Sequence, residues 1–544
     1  MSTSVAWGAG RGWRVSTWAI AAAVALPVLT IFAAWLLPAP EGLWSHLGTT
    51  VMPRVVMNTI VLLAGVLAGT FVLGVSLAWL TALTEFPGRR ILAWALVAPM
   101  AMPAYVLGFI YCGLFDFAGP VQTLFRQWFG EAASLPSIRS TWGVILVMTL
   151  ALYPYVYLIS RSAFLTQGAK ALETGRALGC SPGQAFWRLA VPLSRPWIFG
   201  ALTLVAMETL ADFGTVSMFV YETFTTAIYK TWYGFFSPVG AAQLASLLVL
   251  VVFVALWLQQ RMERRKLYTG MGRCIGPPVR LVLSRRERWL AAVYAWGVLG
   301  FAFVMPVTQL LIWAAMAAKT DLDARLAGLA WHSVALGGMT AALATIFALI
   351  IATTARQERR ASVAWAARIA VLGYALPGSV LAVGVFLPLV WLDQHVADLL
   401  ARLLSRETEL LLSGTVLAML TGLTLRFLAV AHTAVASGVA RIPRRLDEAA
   451  AGLGVKGLSA LRRVHLPLLG SALVTGALLV FVDVMKEMPL TLMTRPFGWD
   501  TLAVRIFELT NEGQWERAAL PATLLLCVGL VPVAWLSRGS IQDN

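Results

Sequence analysis

Long apolar runs separated by short polar blocks dominate this 544-residue chain. A helix needs about 20 mostly apolar residues to cross a bilayer. Twelve runs meet that length: 17–37, 59–83, 91–115, 141–163, 197–221, 238–259, 289–316, 334–354, 364–391, 409–435, 468–493 and 517–537. The first follows Arg11 and Arg14 and is longer than the roughly 7–15-residue apolar core of a secretion signal, so it predicts a spanning helix. The pattern predicts an all-α polytopic membrane protein with about twelve transmembrane helices.

Composition sharpens this reading. Hydrophobic residues make up 59% of the chain and charged residues only 12%, against roughly 25% in a soluble domain, so the chain cannot clothe a water-facing surface of its size. Its net charge of +16 does not point to nucleic acid, because the basic residues lie in short blocks between apolar runs. Arg261, Arg264, Arg265, Lys266, Arg273, Arg280, Arg285, Arg286 and Arg288 follow the sixth run. Arg89 and Arg90, Arg359 and Arg360, and Arg441, Arg444 and Arg445 mark other basic loops. In the loop of Lys319, Asp321, Asp323 and Arg325 the charges cancel. Positive blocks stay on the cytoplasmic side of a membrane, so both termini and the basic loops are expected there, in a bacterial inner membrane. Cys112, Cys180, Cys274 and Cys527 are scattered, without the spacing of a disulfide framework or a zinc site.

The chain also repeats itself. Glu173-Thr-Gly-Arg-Ala-Leu-Gly179 leads to Pro192, and Glu448-Ala449-Ala450-Ala-Gly-Leu-Gly454 leads to Pro467, a shift of 448 − 173 = 275 residues. The same shift carries Glu208 onto Asp483, Asp212 onto Glu487 and Thr226 onto Thr501, and a shift of 274 carries Pro103 onto Pro377. A repeat spanning an even number of helices keeps its orientation, so two parallel halves, 1–270 and 271–544, are expected about an axis along the membrane normal. The first and seventh runs match worst, which predicts a five-helix core per half with one peripheral helix.

Each repeated loop falls between the fourth and fifth runs of its half. Ser181-Pro182 suits a helix start and Gly179 the end of the helix before it; Val455-Lys456-Gly457 is a weaker cap. Glu448-Ala449-Ala450, Gly454 and Leu466-Pro467 resemble the EAA loop of binding-protein-dependent ABC importer permeases. Glu173, Gly179 and Val191-Pro192 keep the positions of that loop, with Thr174-Gly175 in place of its alanines. The resemblance covers essentially the whole chain and implies a coupling helix in each half that docks into an ATPase subunit. The implied partners are two ATPase copies, a soluble periplasmic or lipid-anchored binding protein and membrane lipid, with no nucleic acid. Met207 to Thr215, Phe224 to Lys230 and Phe481 to Pro489 resemble the ferric iron branch of these fused permeases. Sister branches for thiamine, polyamines, sulfate or phosphonates share the architecture.

No phosphate-binding GxxxxGK[ST] loop occurs, so ATP is expected to be used by a partner, with no cofactor held tightly here. A major-facilitator-type carrier also has twelve helices in two parallel halves. Thr84 to Arg90 faintly matches that family's loop, but its counterpart, Ala355 to Arg360, lacks the glycine, and paired loops have no role there. No HExxH or GxSxG motif supports an intramembrane enzyme.

The remaining candidates are four carboxylates inside apolar runs: Glu208 and Asp212 in the fifth, Asp483 and Glu487 in the eleventh. At i, i+4 spacing each pair is expected on one helix face, with Lys486 beside Asp483. A charge at mid-bilayer costs roughly 2.5–3.5 kcal/mol. Two roles follow: a hydrogen-bonded lock between helices, or a ring lining a path for a hard cation, which takes oxygen ligands. No metal site is otherwise assigned.

Overall fold

The computed structural model describes residues 11–168, 179, 181–264, 280–358, 360–404, 412–455 and 457–542. Glu173, Thr174, Gly175, Cys180, Arg265, Lys266, Arg273, Cys274, Arg359 and Lys456 lie outside the described residues. Among the described residues eleven helices are long and apolar enough to cross a membrane. The twelfth apolar run lies in a further helix, Trp515–Gln542.

Four of the expected spans are broken: the fifth after Ala211, the eleventh after Lys486, and the third and ninth at their prolines. The third run is split into Arg89–Ala95, a short 3-10 turn at Ala98–Ala101 and Ala104–Phe115. The ninth is split likewise into Ala361–Ala370, Leu372–Ala375 and Gly378–Leu404. The cause is local. Met102 and Leu376 precede Pro103 and Pro377 and are extended, because a proline ring crowds the residue before it out of the helical region.

In lipid, helices gain little from hiding apolar surface, so close backbone approach decides which ones pack. Helix Met52–Leu83 carries Gly65, Gly69 and Gly74 against Thr141–Ala163. A Cβ on Gly65 would stand 2.5 Å from Ile145 Cδ1, on Gly69 2.5 Å from Thr149 Oγ1, and on Gly74 2.6 Å from Val156 Cβ. These glycines let the second and fourth spans lie against each other along their length.

The first helix of each half crosses to the other half. Helix Arg11–Ala33 packs on Ala361–Ala370 and Gly378–Leu404, and Pro27 fills the space beside Gly384. Reciprocally, Arg285–Leu299 and Met305–Asp321 pack on Arg89–Ala95 and Ala104–Phe115. Ion pairs fix both crossings at the same end of the bundle. Arg14 Nε lies 2.8 Å from Glu358, and Arg280 Nη1 lies 2.7 Å from Glu85, where Thr84-Glu85 also pairs in parallel with Leu281-Val282. The peripheral helices predicted from sequence are therefore exchanged. Both hydrophobic cores mix the halves: one joins Tyr153 to Phe507, the other Val24 to Leu381.

Candidate functional site

Helices Val191–Ala211 and Leu466–Lys486 each stop one residue short of a carboxylate. Asp212 and Glu487 are extended residues at the helix ends, not members of a shared helical face with Glu208 and Asp483. This corrects the i, i+4 expectation, and the reason lies just downstream. Pro489 opens the short helix Pro489–Thr494, and Gly214 opens Gly214–Met218. Gly214 is also where the halves meet: a Cβ there would stand 2.7 Å from Tyr105 Cβ and 2.8 Å from Met488 Cε.

The four carboxylates separate into two kinds. Asp212 accepts hydrogen bonds from Thr215 Oγ1 at 2.9 Å and the Val216 amide at 3.1 Å, capping the short helix that follows. Glu487 is buried and accepts from the Leu490 amide and from Arg426 Nη1, both at 3.1 Å. Both of these carboxylates are therefore already engaged. Glu208 and Asp483 accept no hydrogen bond and form no ion pair among the described residues, though both border the same space. Lys486 does not reach back to a carboxylate; its Nζ donates to the Met100 carbonyl of the other half at 3.1 Å.

That space is a cavity of about 190 Å³ between the halves. Its polar wall holds Glu208, Asp212, Asp483 and Glu487, Arg426 and Lys486, with Tyr105, Tyr155 and Tyr374. Four acids against two bases leave a formal excess of negative charge. Both bases come from the second half. By the shifts of 275 residues, Ala151 and Ala211 occupy their places in the first. Tyr105 is buried and its hydroxyl has no hydrogen-bond partner among the described residues. Among the described residues no three His, Cys, Asp or Glu side chains are set to hold a metal ion. The arrangement is thus a polar chamber with more acidic than basic side chains in its wall.

At one end of the chamber aromatic side chains from both halves meet. Phe213 lies 5.5 Å from Phe507, ring centre to ring centre, and 4.9 Å from Tyr229. Tyr233 Oη donates to the Leu492 carbonyl at 3.3 Å. Thr226 and Thr501, matched by the repeat, do not hold equivalent places here. Thr226 lies inside a helix capped by Thr223, whereas Thr501 is itself the cap of Leu502–Asn511.

The Gly-turn loops precede the other ends of helices Val191–Ala211 and Leu466–Lys486. Gly179 and Gly454 have φ of 74° and 77°, the left-handed region that favours glycine. The second loop is a complete helix stop: the Gly454 amide donates to Ala451 O at 3.0 Å and the Val455 amide to Ala450 O at 2.9 Å. In the first loop Ser181 and Gln184 cap each other reciprocally, at 3.3 and 3.1 Å. Pro192 and Pro467 sit in the first turns of the helices that lead to the chamber. Glu448 and Ala449 are exposed on helix Arg444–Gly452, while Ala450 is buried. Large apolar side chains stand in solvent beside them: Trp187 near the first loop, Leu453 and Leu458 at the second. Such a surface fits a protein partner.

Sequence reasoning missed Arg426, Tyr105, Tyr155 and Tyr374. An arginine in the middle of an apolar run was a usable signal for the first; nothing in the letters marked the tyrosines.

The family described as binding-protein-dependent transport system inner membrane component matches twice, over residues 71–268 and 344–539. The chain is 26% identical to the Fe(3+)-transport system permease protein FbpB 2 of Haemophilus influenzae, over 95% of this chain and 96% of that protein. It is 26% identical to the molybdenum transport system permease protein ModB of the same organism, over 36% of this chain and 87% of that one. It is 28% identical to the sulfate transport system permease protein CysW of Escherichia coli, over 36% of this chain and 67% of that one.

Proposed function

We infer the cargo and mechanism from one premise: the chain belongs to the family of binding-protein-dependent transport system inner membrane components. It is a multi-pass permease subunit of an ABC transporter in the inner membrane, working with an ATPase and a substrate-binding protein. Its role is to supply a path and a lever, with no bond chemistry of its own.

We propose that the cargo is ferric iron. The observation that carries this is the chamber, where four carboxylates face two cations and phenol oxygens complete the wall. A hard cation is stabilised by such oxygens. End-to-end similarity to an Fe(3+) permease supports the same reading. Glu208 and Asp483 are assigned to the passing ion, because they are the carboxylates not already engaged. Asp212 and Glu487 hold the chamber's shape. Weak, incomplete coordination suits passage, since an ion that binds tightly does not leave.

The Gly-turn loops are assigned to the cytoplasmic side, with both termini. Each half, 1–270 and 271–544, is assigned one ATPase copy, contacted through Glu173, Gly179 and Pro192 in the first and Glu448, Ala449, Ala450, Gly454 and Pro467 in the second. On this reading the aromatic contacts of Phe213, Tyr229, Tyr233 and Phe507 close the outward side. ATP binding draws the two loops together, the halves rock, and the outward contact opens to the binding protein; hydrolysis returns them. ATP stays on the partner, and no cofactor is assigned to this chain.

An oxyanion cargo is the second reading, favoured by Arg426 and Lys486 in the chamber and by the molybdenum and sulfate relatives. Vesicles holding the chain, its ATPase and its binding protein separate the two. Labelled ferric iron taken up with ATP supports the first reading. Uptake of molybdate or sulfate in its place supports the second.

A further inference from the structure

A buried polar junction joins four helices beside the second Gly-turn loop. Arg356, in the last turn of Ala324–Gln357, donates from Nε at 3.0 Å and from Nη2 at 2.8 Å to the same carboxylate oxygen of Asp447. Its Nη1 donates to the Val439 carbonyl, in Val416–Arg441, at 2.6 Å. His465 Nε2 lies 3.0 Å from the other oxygen of Asp447. Asp447 stands in the first turn of Arg444–Gly452, the helix that carries Glu448, Ala449 and Ala450. His465 is buried and immediately precedes Leu466–Lys486, the helix whose far end carries Asp483 and Lys486.

The junction's side chains are not repeated in the sequence of the first half. Under the 275-residue shift Leu172 replaces Asp447 and Ala190 replaces His465; Thr81 or Ala82 stands where Arg356 falls under shifts of 275 or 274. None of these can carry the charge. Both side chains of the Arg356–Asp447 pair are largely withdrawn from solvent, at 10% and 19% exposure. A paired charge of this kind is strongly held, because removing one partner strands the other. Between Asp447 and His465 the chain includes the left-handed turn at Gly454, and the Asp447–His465 contact bridges that turn directly. A push on helix Arg444–Gly452 is therefore passed to helix Leu466–Lys486 through side chains as well as through the turn.

We propose that Asp447 is a positioning residue. With Arg356 and His465 it latches the second coupling helix to the helix that forms the second half's wall of the chamber, so that this half is driven rigidly. The first half has none of these three side chains at the matched positions. The proposal rests on the assignment of Arg444–Gly452 to the ATPase contact.

The test uses the full complex in vesicles, with iron uptake and binding-protein-stimulated ATP hydrolysis measured on the same preparation. Asp447→Ala is expected to lower iron moved per ATP hydrolysed at least tenfold while hydrolysis stays within about twofold of the parent. His465→Gln, whose amide can still donate to Asp447, is expected to keep the ratio; His465→Ala is expected to lower it. A second readout needs no cargo. Spin labels at Leu453 and Leu479 are expected to hold one separation through the ATP cycle in the parent and to spread over several in Asp447→Ala. An unchanged ratio with unchanged label separation overturns the latch, and so does a proportional fall of uptake and hydrolysis. If the parent complex itself moves iron without any dependence on ATP, the coupling assignment fails instead, and the two failures are distinct.

Discussion

The second Gly-turn loop offers a prediction whose size follows from backbone geometry. Gly454 has φ of 77°, and a Cβ built there meets nothing within 4 Å. Any penalty for a substitution at this position therefore comes from the backbone and not from crowding. An L-residue forced into the left-handed region costs about 1–2 kcal/mol. Asparagine tolerates the region better than most residues, and a β-branched side chain tolerates it worst. One to two kcal/mol is roughly a 5–30-fold change in the population of the capped turn. ATP-dependent uptake should therefore fall in the order Gly, Asn, Ala, Val at position 454, with Gly454→Val lowest and Gly454→Asn close to the parent. The assay is initial-rate uptake at matched amounts of inserted protein. Equal losses for Asn and Val would refute the reasoning, because they would trace the defect to side-chain bulk at a partner contact and not to the turn.

Other outcomes follow from the same structure. Glu208→Gln and Asp483→Asn should lower iron uptake by at least tenfold without lowering the amount of inserted, folded protein measured by detergent-stable yield. Glu487→Gln should act mainly on that yield, because stranding a largely buried Arg426 costs about 3–5 kcal/mol. Gly69→Leu should also reduce the folded yield, since its side chain must enter space held by Thr149 on the neighbouring span. Because the first helices are exchanged, residues 1–270 and 271–544 expressed as separate chains should co-purify. Adding Gly384→Val should weaken that association, as its side chain collides with Pro27.

The letters of the chain carried much of the architecture and only half of the site. Helical membrane spans were legible because apolar length is a direct physical requirement of crossing a bilayer. The paired loops were legible because glycine at the turn and proline at the next helix start are local necessities, and Gly179 and Gly454 indeed share one backbone conformation. The four carboxylates were legible as positions, but their division of labour was not. Asp212 and Glu487 leave the helix because of Gly214, Pro489 and packing across the halves, and a periodicity argument assumes the helix continues. The Arg356–Asp447–His465 junction was invisible for a different reason: its members lie far apart in sequence and meet only through the fold. Nor could hydrophobic runs alone say that Arg11–Ala33 lies on the opposite half, since an apolar run carries no address. The Arg14–Glu358 and Arg280–Glu85 pairs provide it.

The decisive measurement is uptake of labelled ferric iron into vesicles that hold the chain with its ATPase and binding protein, compared with and without ATP. The expected result is accumulation that requires ATP and both partners, is lost when Glu208 and Asp483 are neutralised together, and is absent for molybdate and sulfate. Accumulation without ATP or partners, driven by an ion gradient, would contradict it, and so would iron uptake that survives neutralisation of both carboxylates.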